Sequence, residues 1–186
     1  MDLPREMPNR ILVTGGCGFI GSNFIHHILH TFCDVDFESC CDDHPAYANK
    51  SQGLEIDLLN MDKITYAANP ENLKPVSDCS RYSLEQCDIS DHHRVIEVFE
   101  NFKPECVIHF AAESHVDRSI ESGYEFIVSN VLGTHVLLEA SRKVGVTLFI
   151  HVSTDEVYGS TDHDSFSENS HLNPSSPYSS SKASSD

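Results

Sequence analysis

The chain has 186 residues, 39% of them hydrophobic, and a formal net charge of −17 at pH 7. This length allows one domain with a substantial hydrophobic core. Such a negative charge repels nucleic-acid phosphates and anionic membrane surfaces, which argues against both as partners. No apolar run approaches the ~20 residues of a transmembrane helix, and residues 1–10 lack the apolar segment of a signal peptide. The cytosol is the expected location.

Cysteine and histidine are frequent but are not arranged as ligands or disulfide partners. The seven cysteines form no Cys-x-x-Cys pair, and their odd number fits reduced thiols better than a disulfide framework. The twelve histidines are scattered without the spacing of metal ligands. We therefore expect no metal site.

Apolar runs along the chain predict alternating strands and helices. Strands are predicted at residues 10–14, 54–61, 82–87, 106–110 and 148–152. Helices are predicted at residues 21–30, from an Asp91 cap up to Pro104, and at about 124–144, where Gly145 ends the helix. Residues 31–53 show no lasting periodicity and are interpreted as an insertion. The alternation predicts a doubly wound parallel sheet that binds ligands at the carboxyl ends of its strands.

A glycine-rich loop joins the first strand to the first helix. Glycines 16, 18 and 21 match the dinucleotide-binding fingerprint, and glycines 15, 18 and 21 match its wider-spaced variant. Residues without a Cβ allow the pyrophosphate to approach the backbone, and the N-terminus of the helix faces its charge. Because strand, loop and helix occur in the required order, we predict dinucleotide binding.

The residue that binds the adenosine ribose should be acidic and lie about 20 residues after the loop. Asp42 fits this count, but it lies within the irregular segment, whereas Asp62 ends a convincing strand. We choose Asp62, because the end of a strand places a side chain at the ligand edge. A carboxylate there favours NAD over NADP, whose 2′-phosphate it would repel.

Two groups of polar residues are candidates for chemistry. Asp155 and Glu156 follow the fifth predicted strand directly, and one could act as an acid while the other acts as a base. Tyr178 and Lys182 are four residues apart and share one face of a helix. A lysine ammonium beside the phenol would lower the pKa of Tyr178 and make it a usable base.

These motifs resemble those of a known family. The glycine loop and the Tyr-x-x-x-Lys pair are similar to the extended short-chain dehydrogenase/reductase superfamily. Residues 110–119 (FAAESHVDRS), 130–134 (NVLGT) and 153–159 (STDEVYG) resemble the dTDP-glucose 4,6-dehydratase family more narrowly. Residues 62–66 (DKITY) match the segment after that family's second strand, which supports Asp62. The Thr-Asp-Glu triplet is generally missing from the related epimerases and decarboxylases.

The resemblance implies an NAD-dependent dehydration that gives a 4-keto-6-deoxy sugar. Tyr178, with Lys182, would take the proton of the sugar 4-hydroxyl, which Thr154 would position. Glu156 would remove the C5 proton, and Asp155 would protonate the departing C6 hydroxyl. Ser114 and Thr154 are the expected substrate-binding residues.

The resemblance also implies a set of NAD-binding residues and an incomplete enzyme. The expected NAD-binding residues are Gly15, Gly18, Phe19, Ile20, Gly21, Asp62, Lys63, Thr65, Asp88, Ile89, Phe110, Ala111, Ala112, Ser114, Ser129, Tyr178 and Lys182. Residues 1–186 are expected to form one Rossmann-like NAD-binding domain, because family members continue for roughly as long again into a substrate domain. Tyr178 would then lie on a helix stub without its usual packing.

The sequence defines the substrate and the partners less closely than it defines the cofactor. A nucleotide sugar is the expected substrate, and a homodimer paired through residues 124–144 is expected by resemblance alone. The alternatives are a UDP-glucose dehydratase, a related epimerase or decarboxylase, and a truncated NAD-binding protein without catalysis.

Overall fold

Five parallel strands form the centre of the molecule in a computed structural model that describes residues 7–32, 55–161 and 165–186. The strands are β1 (Arg10–Thr14), β2 (Asp57–Asp62), β3 (Tyr82–Gln86), β4 (Cys106–His109) and β5 (Leu148–His151). Their order is β3-β2-β1-β4-β5, and every neighbouring pair is parallel. The strand order reverses between β1 and β4, which is the position where such sheets bind ligands.

Helices cover both faces of the sheet. They are α1 (Phe19–Phe32), α2 (His92–Phe102), α3 (Val116–Glu121), α4 (Tyr124–Phe126), α5 (Thr134–Val144) and α6 (Pro177–Ala183), with 3-10 helices at Pro70–Val76 and Asp155–Tyr158. Ile25 and Leu29 of α1 pack on one face, together with the first 3-10 helix. Phe99 of α2 and Leu137 of α5 pack on the other face. The predicted doubly wound parallel sheet is therefore confirmed.

The long helix predicted at 124–144 is continuous but not uniform. Between α4 and α5, residues Ile127–Gly133 form a π-helix, a wider turn that is frequent at functional sites. Gly145 ends α5 in the left-handed conformation, with φ of 81°. The sequence thus predicted the limits of this segment but not its central π-helix.

Some predicted boundaries are wrong. Helix α1 continues to Phe32, so Thr31 and Phe32 do not belong to an insertion, while residues 33–54, which include Asp42, lie outside the described residues. Strand β2 begins at Asp57 rather than at residue 54. The 3-10 helix Pro70–Val76 and helix α3 were not predicted. Across the described ranges, no helix combines the length and apolar character needed to cross a bilayer.

Exchanging Asp91 for Ala is expected to destabilise α2. The Asp91 side chain accepts a hydrogen bond of 3.1 Å from the amide of Arg94, as predicted for the helix cap. Losing this bond should lower the free energy of unfolding by about 1 kcal/mol, measured by urea denaturation. Asp91→Ser keeps a capping oxygen and serves as the control. An Ala variant as stable as the Ser variant would contradict the capping role.

Candidate functional site

An open groove lies at the carboxyl ends of the strands. Eleven of the predicted NAD-binding residues line it, namely Gly15, Gly18, Asp62, Lys63, Thr65, Asp88, Ile89, Phe110, Ala111, Ala112 and Ser129. The groove is also lined by seven residues that were not predicted, namely Met61, Ala67, Ala68, Cys87, Glu113, Glu125 and Val128. The fold therefore brings residues from five separate chain segments into one groove.

The glycine loop makes close backbone contacts that exclude larger residues. Gly15 has a φ of 71°, and a Cβ built there would lie 2.7 Å from the Cα of Ala111. A Cβ on Gly21 would lie 2.4 Å from the carbonyl oxygen of Gly15. The amide of Gly15 donates to the carbonyl of Met61 at 2.9 Å. The loop is therefore folded tightly against the ends of β2 and β4.

The first turn of α1 offers backbone donors. Within the described residues, the amides of Phe19, Ile20 and Gly21 make no hydrogen bond. The side chains of Phe19 and Ile20 are 81% and 62% exposed and do not line the groove. The backbone amides are therefore the donors that these two residues offer to a ligand.

Asp62 is held rigidly at the end of β2. One carboxylate oxygen accepts from the amide of Cys17 at 2.9 Å, and the other accepts from the amide of Ile64 at 2.7 Å. The residue is only 8% exposed and lines the groove. Each carboxylate oxygen can accept a second hydrogen bond, so Asp62 remains able to bind a ribose hydroxyl.

Lys63 and Asp88 form an ion pair in the groove, with 2.7 Å between Nζ and Oδ2. The other oxygen of Asp88 accepts from the amide and the hydroxyl of Ser90. Burial raises the pKa of Asp88, but the bonds from Lys63 and Ser90 outweigh it and lower the pKa overall. Asp88 is therefore charged at neutral pH and neutralises the lysine beside it.

A second cluster joins the end of β5 to α6. Thr154 caps the 3-10 helix Asp155–Tyr158 through a 3.3 Å bond from the amide of Glu156. Its side chain also acts on the phenol of Tyr178, whose pKa it lowers. Asp155 and Glu156 are exposed, and their charges act on the phenol. The structure thus places Thr154, both carboxylates and Tyr178 together.

The expected lowering of the Tyr178 pKa by Lys182 is wrong for this structure. Burial raises the pKa of Tyr178; the side chain of Thr154 lowers it in part, and the carboxylates raise it further. Lys182 is directed elsewhere: its ammonium donates to the carbonyl of Val152 at 2.8 Å and lies 3.3 Å from the Nε2 of His151. Burial also lowers the pKa of Lys182.

Helix α6 is short but packs against the rest of the described domain. Ser179, Ser181 and Lys182 are buried in it, and Ser176 with Ser179 forms a capping box. The ring of Tyr178 meets that of Phe126 edge-on, with 6.4 Å between the ring centroids. Tyr178 is therefore fixed by contacts within the described residues.

Ser114 does not join either cluster. It is exposed and does not line the groove. The adjoining Glu113 is instead anchored, because its amide donates to the side-chain oxygen of Asn130 at 2.8 Å and its carbonyl accepts from the same side chain at 2.9 Å. Asn130 also donates to Ser181 of α6 at 2.9 Å, so one buried amide ties the groove to the helix of Tyr178.

A buried histidine behind the groove was also missed by sequence reasoning. His109 is 1% exposed, with Nδ1 2.6 Å from the hydroxyl of Thr14 and Nε2 3.0 Å from that of Thr134. Thr134 donates to the carbonyl of Asn130, so its oxygen accepts from His109, and the proton of the neutral ring lies on Nε2. The sequence signal that could have identified His109 is its position as the one charged-type side chain within the apolar run 106–110.

Stability is expected to fall as the pH is lowered from 6.5 toward 3 because of His109. Burial, together with His151 and Lys182, lowers the pKa of His109 to about 3 from an ordinary 6.5. In this window the unfolded chain binds a proton that the folded chain excludes, so protonation favours unfolding. Urea denaturation across this range should show a shallower pH dependence for His109→Gln. Equal slopes in both proteins would contradict this assignment.

Comparisons with known proteins agree with this geometry. The model of the GDP-mannose 4,6 dehydratase family matches residues 46–186. The dTDP-glucose 4,6-dehydratase of Neisseria meningitidis is 45% identical over 189 residues, which cover 95% of this chain and 47% of that protein. The dTDP-D-glucose 4,6-dehydratase of Mus musculus is 42% identical over 97% of this chain and 45% of that protein.

A solved structure gives the same result. The dTDP-glucose 4,6-dehydratase DesIV of Streptomyces venezuelae, crystallised with NAD and TYD bound, matches with a TM-score of 0.78 and 41% identity, over 95% of this chain and 49% of that one. This chain spans about half the length of the relatives that it matches. The family model covers most of the chain, and the chain therefore belongs to the GDP-mannose 4,6 dehydratase family.

Proposed function

We propose that residues 1–186 form the NAD-binding domain of a nucleotide-sugar 4,6-dehydratase that converts dTDP-glucose to a 4-keto-6-deoxy sugar. The observation that carries this proposal is the cluster of Thr154, Asp155, Glu156 and Tyr178 at the sheet edge that also holds the groove. A groove for the dinucleotide and a set of acid–base groups are the two parts that the reaction requires. The dehydratases among the relatives support the choice of reaction.

The backbone amides and the charged side chains of the groove are suited to binding NAD+. The unbonded amides of Phe19, Ile20 and Gly21 would bind the pyrophosphate at the N-terminus of α1. Asp62 would accept from the ribose hydroxyls, and its charge would disfavour NADP+. The pairing of Lys63 with Asp88 leaves that lysine neutralised, which also disfavours a 2′-phosphate. The remaining contacts would come from the predicted groove residues given above.

Bound NAD+ would supply the hydride acceptor and, later, the hydride donor at the sugar. The phenol oxygen of Tyr178 would take the proton of the sugar 4-hydroxyl, and Thr154, which acts on that phenol, would position the hydroxyl. Because the pKa of Tyr178 is raised here, proton removal needs added positive charge. Lys182 lies one helical turn away on α6, but its ammonium donates to the carbonyl of Val152 and would have to turn toward the phenol to supply that charge.

Elimination of water would use the two carboxylates of the 3-10 helix. Glu156 would take the proton from C5, which the neighbouring 4-keto group makes acidic. Asp155 would give a proton to the C6 hydroxyl, which leaves as water. The Glu156 proton would return to C5 when C6 accepts hydride, so that the sugar loses one water in total. Both side chains are exposed and therefore accessible to a substrate.

We also propose a cytosolic homodimer paired along residues 124–144. Tyr124, Ile127 and Leu138 of this segment are 71%, 53% and 45% exposed, and apolar side chains at such exposure are suited to an interface. The described cysteines, Cys17, Cys79, Cys87 and Cys106, are free thiols, as expected in a reducing compartment. Analytical ultracentrifugation would test the dimer.

Product analysis tests the proposed reaction. The chain is incubated with NAD+ and either dTDP-glucose or UDP-glucose, and the sugar nucleotides are examined by mass spectrometry. Loss of one water from dTDP-glucose is the expected result. Preferential loss from UDP-glucose would change the substrate, and an isomer of unchanged mass would indicate an epimerase. NAD+ binding without any conversion would show a binding protein that lacks catalysis.

A further inference from the structure

Asn60 is an unusual residue for its position. It lies in β2, which pairs with β1 on one side and β3 on the other, and it is 0% exposed. Its neighbours in the strand, Leu59 and Met61, are apolar and buried. A buried amide in a central strand is costly unless its donors and acceptors are satisfied, so its partners indicate its role.

Those partners belong to the glycine loop and to β3. The side-chain oxygen of Asn60 accepts from the amide of Gly16 at 3.0 Å. Its nitrogen donates to the hydroxyl of Tyr82 at 3.1 Å and contacts the sulfur of Cys17 at 3.5 Å. A Cβ on Gly16 would lie 2.2 Å from the Asn60 oxygen, so the loop is pressed directly against this side chain.

The amides of the glycine loop donate to Asn60, to Asp62 and to a carbonyl of the loop itself. Gly16 donates to Asn60, Cys17 donates to Asp62 at 2.9 Å, and Gly18 donates to the carbonyl of Gly15 at 3.1 Å. The next amides along the chain are the unbonded ones in the first turn of α1. The amides of Gly16, Cys17 and Gly18 are therefore already bonded within the protein, and the unbonded amides begin at the first turn of α1.

We propose that Asn60 is a positioning residue for dinucleotide binding: it fixes Gly16 and thereby holds the first-turn amides of α1 in the orientation that a pyrophosphate needs. The inference rests on the proposed NAD+ function. A binding loop that is ordered before its ligand arrives avoids the entropy cost of ordering on binding. Loss of Asn60 should consequently weaken binding in a protein that is still folded.

The test compares a variant that removes every hydrogen bond of the Asn60 side chain with one that removes only its bond to Tyr82. Asn60→Leu keeps the branched shape and the number of non-hydrogen atoms but leaves Gly16 without an acceptor, whereas Tyr82→Phe removes only the hydroxyl bonded to Asn60 and keeps the Gly16 bond. Calorimetric titration with NAD+ should give about tenfold weaker binding for Asn60→Leu, the loss expected for one buried hydrogen bond. Tyr82→Phe should remain within about twofold of the unmodified chain.

Equal affinity of Asn60→Leu and the unmodified chain, despite a lower melting temperature, would show a role in stability alone and overturn the proposal. Equal losses in both variants would overturn it as well, because the Gly16 bond would then not be the cause. If the unmodified chain binds no NAD+, the proposed function fails first.

Amide hydrogen exchange followed by NMR tests the loop without any variant, before and after NAD+ is added. In the unmodified chain, the amides of Gly16 and Cys17 should exchange slowly before NAD+ is added, whereas those of Phe19, Ile20 and Gly21 should become protected only after addition. Fast exchange at Gly16 in the absence of NAD+ would overturn the proposal, whether or not Asn60→Leu folds.

Discussion

Exchanging Glu156 for Gln is expected to reduce water elimination by about 10²- to 10⁴-fold, the usual contribution of a general base. Gln has nearly the same shape but cannot take the C5 proton. The side chain is exposed, and the buried Val157 anchors the 3-10 helix instead, so folding and NAD+ affinity should be unchanged. The measurement is the rate of water loss from dTDP-glucose, followed by mass spectrometry.

The matched control is Glu168→Gln, because Glu168 is also exposed but lies in the polar loop before α6. It should react at the rate of the unmodified chain. Oxidation of C4, which is proposed to depend on Tyr178 and Thr154, should survive in Glu156→Gln and appear as trapped 4-keto sugar that retains its water. A Glu156→Gln variant with full dehydration rate would remove Glu156 from the mechanism.

Exchanging Gly15 for Ala is expected to lower the free energy of unfolding by about 3 kcal/mol and to abolish NAD+ binding. The added Cβ would lie 2.7 Å from the Cα and the amide nitrogen of Ala111, which are backbone atoms that cannot rotate away. The φ of 71° adds strain for any residue with a Cβ. Relief of the clash would push β4 and the loop apart and deform the groove.

Gly145→Ala separates the effect of the backbone strain from the effect of the contact with Ala111. Gly145 has a similar φ of 81°, but nothing lies within 4 Å of an added Cβ. Its exchange should therefore cost only the backbone strain, about 1 kcal/mol, with NAD+ binding retained. Urea denaturation and calorimetry measure both effects. Equal destabilisation by the two exchanges would show that the contact with Ala111 is unimportant.

Local sequence signals predicted the frame of the molecule well. The order of strand, glycine loop and helix placed Gly15 and Gly18 in the groove, and the choice of a strand end over a residue count placed Asp62 there. Asp91 and Gly145 delimit their helices as predicted. These features depend on backbone conformation and side-chain periodicity within a few residues, which a single sequence displays directly.

The polar interior was not predictable in the same way. Asn60 and His109 each depend on partners more than 20 residues away in sequence. Lys182 shares a helical face with Tyr178, but its ammonium is bound to the carbonyl of Val152. The spacing therefore predicted a lowered pKa for Tyr178, whereas the pKa is raised. The π-helix within residues 124–144 likewise has no signature in the spacing of apolar residues.

Calorimetric titration of the purified chain with NAD+ and with NADP+ tests the central claim most directly, since every proposed step depends on the groove. The structure predicts one NAD+ site per chain, with NADP+ bound at least about tenfold more weakly because the Asp62 side chain is held in the groove by two backbone amides and Lys63 is already paired with Asp88. No binding of NAD+, or tighter binding of NADP+, would contradict the account.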